Sequence, residues 1–296
     1  MSTLVDALHD RIIHLQWMSA ATKAQAETKL TAFDRKIGYP DKWKDYATVT
    51  IVPGQFLANT RSARQWEGDR DWAKVGKPLD RTEWTMTPPT VNASYHEHLN
   101  EIVFPAGILQ PPMYSPDADD AVNYGAMGAA IGHEMTHGFD DEGRQYDEKG
   151  NLRDWWTAED AAKYATQGQK ISRQFSSYTI ADGTHLNGAL TLGENIADFG
   201  GLTVAYSAME RAIGPGPHAT IDGFTPEQRF FLAWAQVWRE LYRPEYARML
   251  VTTDEHSPPE WRVNGPLSNM PEFRAAWGCK EGNAMVRPSS EQPKIW

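Results

Sequence analysis

The run His133-Glu134-Met135-Thr136-His137 constrains this chain more than any other feature, because its chemistry works only on a helix whose one face is turned toward a cleft. Residues four apart on a helix differ by about 40° around the axis and about 6 Å along it, so both imidazoles reach one point and one metal ion can take both. Glu134 directly follows the first imidazole, and its carboxylate lies beside the open position of such an ion, within reach of a proton on water. The preceding stretch from Ala118 to Ile131 is rich in Ala and Gly, which suits a buried helix packed closely on a neighbour. Gly138 reads as the helix end, and Asp140-Asp141-Glu142-Gly143 as the loop that leaves it.

Two histidines do not complete a catalytic zinc site, which needs a third protein ligand and an open fourth position. Glu194, in Gly193-Glu194-Asn195-Ile196-Ala197-Asp198, is the best candidate, with Asp198 one turn later on the same helical face. A ligating imidazole normally gives its other ring N–H to a carboxylate or carbonyl. Asp198 is assigned that role for His133, and Asp140 for His137.

The elements around these motifs read as follows. A long amphipathic helix runs from Leu4 to Phe33, and a strand-poor, Trp-rich linker follows it. Met86-Thr87-Pro88-Pro89 marks a boundary before an edge strand, turn and strand between Thr90 and Ile108. Helices are predicted over 119–138, 157–177, 191–211 and 225–241, and Gly214-Pro215-Gly216-Pro217 is a loop. The expected class is α+β, a zincin-like (thermolysin-like) catalytic domain that is mainly helical with a small edge-exposed sheet. Residues 1–88 form an N-terminal helical segment and linker packed on a catalytic domain of residues 89–296.

Composition narrows the function classes. Hydrophobic residues make up 41% and charged residues 23%, which is ordinary for a globular chain. The formal net charge of −10 excludes the basic footprint of a nucleic-acid surface. Nothing approaches the roughly 18 consecutive apolar residues of a membrane span, and Asp6, His9, Asp10 and Arg11 interrupt any signal-peptide core. That reading fits a bacterial cytoplasmic protein, or one exported within a longer precursor. The single cysteine, Cys279, allows no intrachain disulfide. His96 and His98 alternate on a predicted strand without carboxylates at ligand spacing and receive no role, and neither do His185 and His218.

Six ordered segments resemble the neprilysin-like zinc endopeptidases, the family of neprilysin, endothelin-converting enzyme and bacterial oligopeptidase O. They are Val91 to Tyr95, Asn100 to Pro112, Gly132 to Trp156, Gly193 to Asp198, Tyr242 to Tyr246, and Asp254 to Pro258, with Lys36 to Pro40 also fitting. The resemblance implies zinc held by His133, His137 and Glu194, with Glu134 as the base that activates water. Asp198 would orient a ligand histidine or donate a proton. His256 would stabilise the oxyanion formed at the peptide carbonyl, worth a few kcal/mol, with Asp254 orienting its ring. Asn92 and Ala93 would hold an extended peptide on the leaving-group side, and Arg262 would pair with a substrate carbonyl. The pocket after the scissile bond would be lined by Ile108, Met113, Ala129, Ala130, Val237 and Trp238 and would prefer large hydrophobic residues.

The resemblance covers the catalytic half of that family, whose helical covering domain is expected to be largely missing from these 296 residues. The chain therefore reads as a fragment, a mini-form, or one half of a two-chain enzyme whose covering domain comes from a separate chain. The function expected is hydrolysis of oligopeptides by one Zn2+ per chain, with cobalt or manganese compatible with the same donors. The rival is a zinc-binding peptide-binding or structural module with little turnover, and aminopeptidase chemistry is a third possibility without a motif dedicated to a free amine.

Overall fold

The computed structural model describes residues 1–296 and contains eleven α-helices and one three-stranded sheet. The elements in chain order are α1 (Ser2–His14), α2 (Ala20–Thr31), β1 (Asp34–Gly38), α3 (Phe56–Trp72), β2 (Ser94–His96), β3 (Glu101–Pro105), α4 (Asp120–Asn123), α5 (Ala129–His137), α6 (Ala158–Ser176), α7 (Leu192–Ile213), α8 (Pro226–Val237), α9 (Pro244–Thr253), α10 (Pro259–Leu267) and α11 (Pro271–Ala276). The fold is the expected α+β zincin-like class, with a small sheet beside a helical body.

Helix α7 is the centre of that body, and every residue from Asn195 to Tyr206 on it is buried. Its main neighbour is α5, and the two backbones touch. A Cβ on Gly201 would lie 2.5 Å from the His133 backbone nitrogen, and one on Gly132 would lie 2.7 Å from the Gly201 carbonyl oxygen. Glu194, Asp198 and Gly201 share one face of α7 at spacings of one helical turn. The glycine contact therefore fixes how far the two carboxylates stand from the histidines of α5.

The predicted helix over 4–33 is two helices. The chain leaves α1 at Leu15, and Ser19 caps α2 by accepting from the Thr22 backbone N–H. The Ser19 N–H lies 3.1 Å from both oxygens of Asp160 at the start of α6, so a tertiary carboxylate takes the donor that a continuous helix would use. The linker expected after residue 33 contains β1 and α3. Strand β1 alternates in burial but inverts the usual polarity, since Lys36 is buried against Glu101, with Nζ 2.6 Å from Oε2, while Ile37 is half exposed. Helix α3 buries none of its residues, so it carries no apolar stripe for a periodicity argument to detect.

The sheet order is β1-β3-β2, with β1 parallel and β2 antiparallel to the central, fully buried β3. Strand β2 stops at His96, so His98 lies beyond it. The helix predicted over 119–138 is interrupted by a π-helical turn at Tyr124–Gly128, where Gly125 lies against the Phe230 backbone of α8. Helix α8 ends at Val237, short of the predicted 241, and Trp238 turns out of the helix to lie under Arg262. Helices α9, α10 and α11 were not expected, although each begins with proline in its first turn followed by glutamate, a helix-start signal.

Candidate active site

Helix α5 delivers His133, Glu134 and His137 to the floor of a cavity of about 540 Å³, and α7 delivers Glu194 from the side. His133 Nε2 and His137 Nε2 are 3.0 Å apart. Glu194 Oε2 is 3.2 Å from the first nitrogen, and its Oε1 is 3.5 Å from the second. Among the His, Cys, Asp and Glu side chains these three form the one group able to share a metal ion.

The donor set fits zinc on two counts. Tetrahedral zinc with bonds of about 2.0–2.1 Å has ligand atoms about 3.3 Å apart, and the three observed separations bracket that value. The second count is the state of the donors. His133 Nδ1 is 2.9 Å from Asp198 Oδ1, and His137 Nδ1 is 2.6 Å from Asp140 Oδ2. Against their burial, the carboxylates around them raise both imidazoles, His133 to about 10, so positive charge is favoured where the two Nε2 atoms face each other, and a bound cation supplies it in place of a proton. Glu194 Oε2 is buried without a hydrogen bond.

Charge is distributed so that the buried acids stay ionised. Burial raises the Glu194 carboxyl, but the histidines and Arg262 outweigh it and hold the group well below the usual carboxylate range. Asp198 is likewise pulled down against its burial, chiefly by Arg262. That guanidinium donates to both carboxylate oxygens, Nε to Oδ2 at 2.8 Å and Nη2 to Oδ1 at 2.7 Å. Arg262 itself is buried, with its charge 3.8 Å above the Trp238 ring. Glu134 differs from the other two. Burial pushes its carboxyl up, only partly opposed by His133 and His137, and no hydrogen bond from a neighbour holds the charge.

The rest of the cavity brings together most of the residues singled out from the sequence. His256 Nε2 is 3.2 Å from Glu194 Oε2, and its Nδ1 is 2.8 Å from Asp254 Oδ1. Ser257 fixes this loop by donating to Asn195 Oδ1 at 2.8 Å. Asn92 and Ala93 precede β2 on the opposite wall, with Ile108, Met113, Ala130 and Trp238 also lining the space. Ala129 and Val237 do not line it: Ala129 is fully buried in the core, and Val237 packs on the core at the end of α8. Helix geometry explains the exchange. Trp234 stands one turn before Trp238 and occupies the lining position, a relation that the four-residue spacing carries. Arg262 reaches the cavity, yet its donors to Asp198 are already engaged. Glu97, Asp141, Glu142 and Glu255 make one end of the space acidic, and burial beside Asp140 pushes Asp141 up to about 6.

The sequence model of peptidase family M13 matches residues 92–292, and the model of the family's N-terminal part matches residues 1–40. This chain belongs to peptidase family M13. Human neprilysin is 40% identical over 295 residues, a stretch covering 95% of this chain and 39% of neprilysin. An endothelin-converting enzyme homolog of Locusta migratoria is 40% identical over 289 residues, covering 94% of this chain and 40% of that relative. Among solved structures, the Mycobacterium tuberculosis zinc metalloprotease ZMP1 in complex with an inhibitor superposes with a TM-score of 0.97 at 43% identity, over 100% of this chain and 46% of that one. PepO from Lactobacillus rhamnosis gives a TM-score of 0.90 at 34% identity, over 100% and 46%. The chain thus spans about two-fifths of the length of the curated relatives it matches. No helix is long and apolar enough to cross a membrane.

Proposed function

We propose that this M13 chain is a zinc-dependent endopeptidase acting on oligopeptides, with His133, His137 and Glu194 holding the metal. The observation that carries the reading is the convergence of two Nε2 atoms and one carboxylate at separations of 3.0, 3.2 and 3.5 Å, with Glu134 beside them. When bound, zinc supplies a Lewis acid that polarises a carbonyl and eases the ionisation of water. Glu134 takes the proton from the attacking water and passes it to the departing amine, a role suited to a carboxyl whose pKa burial has raised. Asp198 and Asp140 keep the two imidazoles turned so that Nε2 faces the donor cluster.

His256 donates to the oxygen that gains charge as the carbonyl is attacked, and Asp254 orients it. Asn92 and Ala93 bind the peptide backbone on the leaving-group side, next to the short edge strand β2. Ile108, Met113, Ala130 and Trp238 receive the side chain after the scissile bond, which favours cleavage before large hydrophobic residues. In this reading residues 1–88 buttress the catalytic residues 89–296. Phe56 and Trp72 on α3 are 82% and 78% exposed, and Leu241 after α8 is fully so, apolar surface that a further protein segment can cover.

Cleavage of an oligopeptide blocked at both ends, with products mapped by mass spectrometry, tests the proposal. Activity is expected to vanish with chelator and return with zinc. Glu134→Gln is expected to lower kcat by about 10²- to 10⁴-fold while zinc stays bound. Cleavage indifferent to chelator or to Glu134→Gln would refute the mechanism. Zinc binding without any cleavage would favour a peptide-binding module instead.

A further inference from the structure

Lys29 is the one cation on the buried stripe of α2, which also carries Thr22, Ala26 and Leu30. It is 1% exposed, and its stem lies among the rings of Tyr95 and Phe139, with Nζ 5.8 Å from each ring centroid. A lysine in such a place costs desolvation that an apolar side chain of the same volume would avoid. Burial lowers its ammonium to about 7, and the hydrogen bonds of Nζ show where the group acts. Nζ donates to the Gly143 carbonyl at 2.6 Å and to the Tyr146 carbonyl at 2.8 Å. Neither carbonyl needs it as a partner, since the Tyr146 N–H also reaches Gly143 O at 3.0 Å and Trp155 Nε1 reaches Tyr146 O at 3.0 Å. The lysine therefore grips a turn that is already internally bonded.

That turn leads to the metal ligands. The Gly143 N–H donates to Asp140 Oδ1 at 2.7 Å, joined by the Glu142 N–H at 2.9 Å. The other oxygen of Asp140 receives His137 Nδ1 at 2.6 Å. The turn also presses on the end of α5, because a Cβ on Gly143 would stand 1.8 Å from the His137 carbonyl oxygen. From Lys29 Nζ to His137 the route is one residue of backbone and one carboxylate.

We propose that Lys29 is a positioning residue of the metal centre: it clamps the Gly143–Tyr146 turn so that Asp140 holds His137 in its ligating orientation. The clamp rests on the reading that His133, His137 and Glu194 bind zinc. It also ties the segment matched by the family's N-terminal model, residues 1–40, to the site carried by residues 92–292.

The test is a zinc competition titration against a chromogenic chelator on the 296-residue chain, with Lys29→Met, Lys29→Gln, Asp140→Asn and the Lys29→Met/Asp140→Asn pair. Melting of each metal-free form is recorded alongside. Lys29→Met is expected to weaken zinc about 10- to 100-fold, the usual effect of losing support behind a ligand, and Asp140→Asn to do as much. The pair should be hardly weaker than either single variant, because both act through the same contact to His137. Lys29→Gln keeps a donor group on a shorter, uncharged side chain and should fall between parent and Lys29→Met.

A lysine that merely packs would lower the melting temperature of the metal-free form and leave the zinc affinity of the folded protein unchanged, whereas a loss of zinc affinity that added fully to that of Asp140→Asn would mean a route other than this contact. Either of the last two results overturns the clamp. Should Lys29→Met fail to fold, Lys29→Gln and its pair with Asp140→Asn answer the same question. A parent chain that binds no zinc refutes the metal site and the clamp together, whereas tight binding by every folded Lys29 variant refutes the clamp alone.

Discussion

Arg262 illustrates how much a single side chain can hold in this site. Its two parallel hydrogen bonds neutralise Asp198, which is 1% exposed and also serves His133. Arg262→Leu would leave a buried carboxylate facing Glu194 across His133 without a cation, a change expected to destabilise the fold by about 3–5 kcal/mol in urea melts. Arg262→Lys should recover only part of that, because a point charge cannot make both bonds of the fork. An Arg262→Leu protein as stable as the parent would sink this account. Nothing local in the sequence marks Arg262 for this role, since its partner lies 64 positions away. Spacing alone, by contrast, brings His133, Glu134 and His137 onto one face.

The break between α1 and α2 shows tertiary contacts overriding local propensity. Burial raises the Asp160 carboxyl, but hydrogen bonds from Ser19, Thr22 and Thr157 outweigh it and hold the group at about 2. Thr22 Oγ1 donates at 2.6 Å and Ser19 Oγ at 2.5 Å, so one acid joins the start of α2 to the start of α6. A carboxyl whose folded pKa lies below its unfolded value of about 3.9 stabilises the protein above that pH and loses the contribution as pH falls toward the folded value. Asp160→Asn is therefore expected to cost about 1–2 kcal/mol near neutral pH, with the gap to the parent closing between about pH 4 and pH 2. Urea midpoints measured across that range check it, and a gap independent of pH would contradict it. Helix α6, with a sharp apolar period, and α7, apolar almost all round, were legible. Elements whose burial depends on distant partners, such as β1, or that bury nothing, such as α3, were not.

At the scale of the molecule, zinc would bridge α5 and α7, the two helices whose glycines bring their backbones together. A ligand that binds only the folded state adds about 4 kcal/mol at a thousandfold excess over its dissociation constant. Chelation should accordingly lower the melting temperature by several degrees, and zinc should restore it. An unchanged melting curve would mean that no metal spans those helices. The sequence by itself determined the helix that presents two imidazoles and a carboxylate, since side-chain direction on a helix follows from residue number. The zincin-like class came with the resemblance of six ordered segments to the neprilysin-like family. Only the tertiary structure decided the distance between α5 and α7, the pairing of Arg262 with Asp198, the exclusion of Ala129 and Val237 from the cavity, and the burial of Lys29 behind His137. Each of these depends on how elements far apart in the chain pack, and packing is a property of whole surfaces that no local spacing encodes.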